Sequence, residues 1–196
     1  GVGVDLDADA RARAGASAMN RVGMPDYMLF FCAPGDNPDR VEHAAPGDVK
    51  DATRIAKAWL HEMHRLGLAS ETPTDEQIAA LLPHAEFDVY EWQKLASPVW
   101  MDIQQGNVLN RMKAQNDEKH VCPLQLDVIE RCLRLYSKPG DVVMDPFNGI
   151  GSTGYQAVKM YRRYLGFELK PEYARQADKN LKEAEASVGD LFGAAA

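Results

Sequence analysis

The stretch that decides the fold is Val142-Val143-Met144-Asp145-Pro146-Phe147-Asn148-Gly149-Ile150-Gly151-Ser152-Thr153-Gly154. Its three leading apolar residues predict a short buried strand, and its glycines predict a tight turn into a helix from about Thr153 to Met160. A second predicted strand, Tyr164 to Phe167, ends at Glu168, and Pro171 opens a last helix through about Ala186. Strand, glycine loop, helix, strand and acid in this order indicate one half of a nucleotide-type binding fold.

The glycine loop carries an acidic residue that bears on its ligand. The pattern GxGxxG formed by Gly149, Gly151 and Gly154 also occurs in sites for nicotinamide and flavin dinucleotides. Asp145, at the tip of the first strand, would repel a pyrophosphate placed at the helix N-terminus. S-adenosylmethionine (AdoMet) carries no phosphate, and Asp145 can accept a charge-assisted hydrogen bond from its ammonium group. Glu168 is placed to hold the two ribose hydroxyls, so the charges favour AdoMet over a dinucleotide. Two alternatives stay open, a dinucleotide site and a tight turn that binds no ligand.

The bulk properties of the chain exclude several other classes of protein. Its 196 residues suit one globular domain with room for a small insertion, and the mean hydropathy is -0.38. A net charge of -7 argues against binding nucleic acid by bulk charge alone but leaves room for a local basic patch. The three cysteines form no CxxC pair, so no metal site is predicted. We expect a cytoplasmic protein without a membrane segment, because no apolar run reaches about 18 residues and no signal peptide is visible.

The first half of the chain predicts one strand and two helices. Residues 1–20 are interpreted as a loop, and the apolar run Tyr27 to Cys32 as a buried strand. Residues 49–67 predict an amphipathic helix. A second helix is predicted from Asp75 to Leu82, with Pro83 stopping it. The apolar stripe of the first helix contains Ile55, Trp59, Met63 and Leu66, and Thr74 with Gln77 forms a capping box for the second.

The basic residues of the first helix form a neighbouring stripe. Arg54, Lys57, His61, His64 and Arg65 recur at helical spacing and can track DNA phosphates, whereas the simpler interpretation is a solvated helix face. Residues 96–116 predict a loop with one short strand near 99–103. A strong helix is predicted from Pro123 to Tyr136, followed by a turn at residues 138–141.

The glycine loop and its surroundings resemble a known family. Asp145 to Thr153 resembles the DPFxGxGST/T motif of DNA amino-methyltransferases, which methylate the exocyclic amine of adenine or cytosine. Glu118 to Leu126 is similar to the family segment that lies over the methionine end of the cofactor. Ser97 to Ile103 and Arg21 to Cys32 resemble segments of phage and prophage members. The resemblance covers about residues 20–41 and 96–182, in the permuted "beta" order with the cofactor loop near the C-terminus.

This resemblance implies an α/β, partial Rossmann-like AdoMet-dependent methyltransferase fold with a small helical insertion. Residues 1–41 would end the catalytic half, residues 42–95 would be the insertion and a candidate target-recognition element, and residues 96–196 would be the AdoMet-binding half. The implied function is site-specific DNA methylation, with DNA and AdoMet as partners. The implied cofactor-binding residues are Asp145, Pro146, Phe147, Gly149, Gly151, Ser152, Glu168, Lys119 and His120, and the candidate DNA-binding residues are Arg54, Lys57, His61 and Arg65.

The catalytic motif of that family is absent from the sequence. In the family, Asp, Asn or Ser followed by Pro-Pro and an aromatic residue holds the target amine and stacks on the extruded base. The nearest string is Ser97-Pro98-Val99-Trp100, in which Val99 replaces the second proline, and we assign no catalytic residue. We therefore expect a C-terminal portion whose N-terminal catalytic half is supplied in cis or in trans. The alternative is a non-catalytic AdoMet- or DNA-binding fragment, or one part of a split methyltransferase.

Overall fold

The computed structural model describes residues 41–109 and 124–188, all within the compact unit that spans residues 39–196. The predictions for residues 1–20, for Tyr27 to Cys32 and for Pro123 lie outside these ranges. Elements are numbered in order along the described residues. They are α1 (Val49–Arg65), α2 (Asp75–Ala85), α3 (Val89–Leu95), α4 (Leu126–Tyr136), β1 (Val142–Asp145), α5 (Ser152–Lys159), β2 (Arg163–Gly166) and α6 (Pro171–Val188).

The strand, glycine loop, helix and strand predicted from the sequence are confirmed. Strands β1 and β2 pair in parallel, with Val142 opposite Arg163 and Asp145 opposite Gly166, and α5 forms the crossover between them. Parallel pairing requires such a crossover, so the local order of elements produces the sheet. The partial Rossmann-like α/β class therefore holds for this half of the chain.

The prediction that β1 is buried is wrong for the described residues. Val143 packs with Tyr164 against the core formed by α4 and α5, whereas Val142 and Met144 point outward and are more than half exposed. Residues of a strand alternate between its two faces, and the described helices cover one of them. The exposed outer face is unusual, because parallel sheets are ordinarily covered on both faces.

The helices α1 and α2 form a separate apolar core. Asp48 caps α1 by accepting a hydrogen bond from the backbone N–H of Asp51 at 3.0 Å. The predicted stripe is correct for Ile55, Trp59 and Met63, which are buried, but wrong for Leu66, which follows the last helical residue and is exposed. The predicted capping box is confirmed, since the Thr74 hydroxyl accepts from the N–H of Gln77 and the Gln77 side chain accepts from the N–H of Thr74.

Three features differ from the sequence prediction: the end of one helix, an additional helix and a missing strand. Helix α2 continues through Pro83, because Ala85 is fully buried in the core and the N–H of Glu86 closes the last turn on the Leu82 carbonyl. Helix α3 is absent from the sequence prediction; Asp88 caps it, but Leu95 is its one buried residue, so its apolar periodicity is weak. The predicted strand near 99–103 does not form.

Side chains of α4 hold that segment as an irregular loop. The Asp127 carboxylate accepts hydrogen bonds from the Gln104 backbone N–H at 2.8 Å and from the Asn107 amide. Arg131 forms an ion pair with Asp102 at 2.7 Å. These bonds hold Asp102, Gln104 and Asn107 against α4.

A polar seam joins the two apolar cores. We define it by His43, His84, Arg134 and Arg162, which surround a small cavity together with Trp59, Phe87 and Ser137. The buried Arg162 guanidinium donates to the carbonyls of Met160 and Ser137 at 2.6 and 2.7 Å, and burial lowers its pKa to about 10. Arg134 forms an ion pair with Glu91 at 2.6 Å, which ties α4 to α3. Residues 41–95 thus meet residues 124–188 through charged groups at this seam.

The seam should make the fold sensitive to acid. Burial, and then the positive charges of Arg162 and Arg134, lower the pKa of His84 from 6.5 to about 4. As the pH falls, His84 is therefore protonated in the unfolded chain before it is protonated in the folded chain. The contribution of the neutral His84 ring to the free energy of unfolding is complete above pH 6.5 and is lost as the pH falls towards 4. Each pH unit in that window should cost up to about 1.4 kcal/mol. Urea unfolding between pH 7.5 and 4.5 measures the slope.

The variant His84→Gln should flatten this slope, because it removes the titrating ring from the seam. The matched control is His61→Gln, which changes an exposed histidine of α1 and should leave the slope as in the unaltered chain. Equal slopes for His84→Gln and the unaltered chain would contradict the assignment of the acid sensitivity to this residue.

Candidate functional site

The carboxyl ends of the two strands bring the predicted cofactor residues to one edge. Asp145 is the last residue of β1, and its backbone carbonyl accepts from the N–H of Phe167 at 2.9 Å. Its carboxylate accepts from the N–H of Phe147 at 2.9 Å, which turns the chain away from the strand. The second carboxylate oxygen has no hydrogen-bond partner among the described residues, so it can accept a bond from a ligand.

The second predicted acid, Glu168, is tied to the glycine loop. One of its oxygens accepts from the backbone N–H of Gly149 at 2.7 Å, and the other accepts from the N–H of Lys170 at 2.9 Å. A carboxylate has about four acceptor positions, so these two bonds leave capacity for hydroxyl donors. Glu168 can therefore shape the loop and contact a ligand at the same time.

The glycines serve different purposes, which the sequence motif does not distinguish. A Cβ atom at Gly154 would lie 2.4 Å from a ring carbon of Tyr164, and one at Gly151 would lie 3.0 Å from the Cβ of Ala177 on α6. These two glycines permit helix packing. Gly149 (φ 53°) has open space on its bare side, with the nearest atom, the Phe147 carbonyl oxygen, 4.0 Å away. Gly149 is thus the one of these three glycines whose bare side is open, and its positive φ is a backbone conformation that favours glycine.

Apolar side chains border the same edge. Phe147 is 87% exposed, Leu169 is 98% exposed and Phe167 is about half exposed, so this edge offers flat apolar surface beside two carboxylates. Pro146 is exposed as well. Ser152, in contrast, is buried at the start of α5, so the structure does not present its side chain to a ligand. Lys119 and His120 lie outside the described residues.

The hydrogen bonds of the loop bear on which ligand it fits. A phosphate at a helix N-terminus needs free backbone N–H groups. Here the N–H of Gly149 donates to Glu168, and the N–H of Gly151 donates to the Asn148 carbonyl at 2.8 Å. The edge thus presents the carboxylates of Asp145 and Glu168, whose negative charges would repel the phosphates of a dinucleotide. It suits a cationic ligand with hydroxyl groups, as AdoMet is.

One residue of the predicted basic stripe on α1, Arg54, forms ion pairs with acidic residues. Arg54 pairs with Glu42 at 2.6 Å and with Asp51 at 2.7 Å, so its charge is neutralised and it is a poor candidate for a phosphate contact. Lys57, His61 and Arg65 are exposed and have no carboxylate within 4.0 Å among the described residues. These three side chains can therefore contact a ligand on the outer face of α1.

The tetrapeptide Ser97 to Trp100 uses its polar groups internally. The Ser97 hydroxyl donates to the Val99 carbonyl at 2.9 Å, and the Trp100 indole N–H donates to the Leu95 carbonyl at 2.9 Å. The Arg131 guanidinium stacks on the Trp100 ring, 5.2 Å from its centroid. The indole is thus engaged with α3 and α4, which is unlike a ring that stacks on a substrate base.

Other features of the described residues suggest no second site of established chemistry. A cavity of about 470 Å³ opens at the amino-terminal ends of the strands, away from the glycine loop, with Glu62, Tyr136, Val142 and Arg163 among its lining residues. No three His, Cys, Asp or Glu side chains within residues 41–109 and 124–188 are grouped to hold a metal ion. None of the helices in these ranges is long and apolar enough to cross a membrane.

Comparison with known proteins identifies similar sequences. The family model described as DNA methylase, of N6 and N4 methyltransferases, matches residues 12–179. The chain is 39% identical over 66 residues to the type II methyltransferase M1.MboII of Moraxella bovis, covering 34% of this chain and 25% of that protein. It is 29% identical over 114 residues to the type II methyltransferase M.Cfr9I of Citrobacter freundii, covering 55% and 37%.

The matched relatives are considerably longer than this chain. It spans between a quarter and just over a third of the two curated relatives above. Among solved structures, a DNA modification methylase of Thermus thermophilus, TTHA0409, in complex with S-adenosyl-L-methionine is 29% identical, with a TM-score of 0.40, over 59% of this chain and 39% of that one.

The packing of Gly154 gives a direct test of the loop geometry. Gly154→Ala would place a methyl group 2.4 Å from the Tyr164 ring, so we expect the free energy of unfolding to fall by about 1–3 kcal/mol. Gly106→Ala is the control, because that glycine has no atom within 4 Å of the added Cβ and should leave stability nearly unchanged. Urea denaturation measures both. Equal stability of the two variants would contradict the described contact of α5 with β2.

Proposed function

Because this chain belongs to the DNA methylase family of N6 and N4 methyltransferases, we propose that it is the AdoMet-binding portion of a site-specific DNA methyltransferase. The target is the exocyclic amine of adenine or cytosine in DNA. The observation that carries the proposal is the strand-tip edge, where Asp145 has an unused carboxylate oxygen and the Gly149 N–H is already bound by Glu168. This edge disfavours phosphate and favours a cationic cofactor with hydroxyl groups.

The side chains at this edge have separate tasks in the proposal. Asp145 holds the ammonium group, Glu168 holds the ribose hydroxyls, and the exposed rings and chains of Phe147 and Leu169 supply apolar surface for the adenine. AdoMet, when bound, supplies an activated methyl group. The contribution of this chain is binding and orientation, which place that group in line with an incoming amine.

The catalytic motif, which these 196 residues lack, must come from a further stretch of polypeptide in this proposal. We propose that a catalytic half, joined in cis or in trans in the permuted order, covers the outer face of the sheet. Val142, Met144 and Leu165 expose about half or more of their surface there, which is costly for parallel strands that stay uncovered. A split enzyme or a non-catalytic fragment is the alternative. The cytoplasm is the proposed location, since AdoMet and DNA are both present there.

Calorimetric titration with AdoMet tests the cofactor site. The unaltered chain should bind, and Asp145→Ala should weaken binding by roughly 10-fold or more, because a charge-assisted bond to the ammonium is lost. The control is Asp178→Ala, which removes an exposed carboxylate of α6 paired with Lys182 and should bind as the unaltered chain does.

A parallel titration with NAD separates the rival ligands. Binding of NAD without binding of AdoMet would overturn the proposal in favour of a dinucleotide enzyme. If a folded chain binds neither, the same titration on a chain extended upstream should show AdoMet binding. Failure of that longer protein to bind AdoMet would also contradict the proposal.

Fluorescence anisotropy with duplex DNA tests the outer face of α1. Each of Lys57→Ala and Arg65→Ala should weaken binding uniformly across DNA sequences and reduce the dependence of log K on log salt by about one. Arg54→Ala should have a smaller effect, because Glu42 and Asp51 already neutralise Arg54. Lys179→Ala is the control, because Lys179 is an exposed lysine of α6 for which the described residues show no ion pair. If it weakens binding as much as Lys57→Ala, the assignment of α1 as the DNA face is wrong.

A further inference from the structure

Three side chains hold three consecutive residues of the glycine loop. The Tyr164 hydroxyl donates to the Asn148 side-chain oxygen at 2.6 Å, and the Asn180 amide donates to the Ile150 carbonyl at 2.7 Å. Between these two, Glu168 accepts from the Gly149 N–H. The three anchors come from β2, from the residues after it and from α6.

The Tyr164 anchor is held firmly in place. Its ring lies close to both Gly154 and Gly166, since a Cβ atom added at either glycine would lie 2.4 or 2.8 Å from the ring carbon Cε1. Burial, and then the negative charge of Asp145, raise the pKa of Tyr164 well above its usual value of 10. The hydroxyl therefore stays protonated over the whole working range of pH and remains a donor to Asn148.

Asn148 passes this restraint to the backbone of the loop. Its N–H donates to the Phe167 carbonyl at 2.9 Å, and its carbonyl accepts from the N–H of Gly151, the residue that caps α5. Gly149 and Gly151 have φ values of 53° and 84°, in the region that glycine enters freely. A loop with two such residues has many alternative conformations, so its shape depends on the anchors around it.

The Asn180 anchor comes from α6. Asn180 is buried, and its side-chain oxygen accepts from the Gln176 amide at 3.0 Å, which fixes the orientation of the donor group. Ile150, whose carbonyl it binds, is also buried. This anchor thus binds the loop at a buried residue, whereas the bare side of Gly149 is open.

We infer that Tyr164 and Asn180 are positioning residues for AdoMet, which fix the Asn148–Gly151 turn in the shape that binds it. The inference rests on the proposed function. The Tyr164 hydroxyl and the Asn180 amide donate to the loop itself. These side chains therefore act through Asn148 and Ile150 and not by contacting the cofactor. A preformed loop spares the ligand the entropic cost of ordering it. Loss of one anchor should therefore weaken AdoMet binding without changing which ligand is bound.

A double-mutant cycle on the whole chain tests this with AdoMet as the titrant. Tyr164→Phe and Asn148→Ala should each weaken binding by roughly 5- to 10-fold, and the double variant should be no weaker than the single ones. Asn148→Asp keeps an acceptor oxygen and should retain most of the affinity. Tyr155→Phe, on α5, is the control. Unchanged binding by Tyr164→Phe, or multiplicative losses in the double variant, would overturn the inference.

Amide hydrogen exchange tests the anchors without any cofactor. Tyr164→Phe and Asn180→Ala should raise exchange at Gly149 and Gly151 several-fold while leaving α4 as protected as before. Unchanged exchange at the loop, or an equal rise in α4, would overturn the positioning role. If the unaltered chain binds no AdoMet even when extended upstream, the proposed function fails, and exchange still decides whether the anchors hold the loop. If it binds and Tyr164→Phe binds equally, only the positioning role fails.

Discussion

The close contact of Tyr164 with Gly154 is the constraint on which the candidate site depends. Since Gly154 has no side chain, α5 can approach β2 until the helix backbone touches the tyrosine ring. This approach places the start of α5 beside the end of β2, so the loop between β1 and α5 comes within reach of Glu168 and Asn180. The hydrogen bonds that shape the loop follow from that packing and do not produce it.

Bonds made within the loop also define its ligand chemistry. A glycine loop with free N–H groups attracts phosphate, whereas a loop whose N–H groups are used by carboxylate and carbonyl oxygens presents acceptors instead. The same fold element can therefore serve opposite charges. In this chain Glu168 changes the character of the loop by accepting from Gly149, and Asp145 adds a second acceptor at the neighbouring strand tip.

The contact between residues 41–95 and residues 124–188 depends on a different kind of interaction. Each has its own apolar core, and the seam between them contains two histidines, two arginines and the ion pair of Arg134 with Glu91. Polar interfaces of this kind hold elements in register while contributing less stabilisation than apolar ones. The seam, together with the ion pair of Glu62 with Lys138, links α1 to the part of the chain that contains the glycine loop.

The sequence by itself determined the elements whose signals are local. The order of β1, α5, β2 and α6, the capping box of α2 and the acids at both strand tips follow from neighbouring residues, because caps, turns and periodicity act over a few positions. Tertiary structure decided what depends on distant partners. It showed that Arg54 is neutralised by Glu42, that Gly151 and Gly154 serve packing, that Leu66 is exposed and that Pro83 lies within a helix. These outcomes depend on which side chains come together across the fold, and residue type and spacing alone do not fix that.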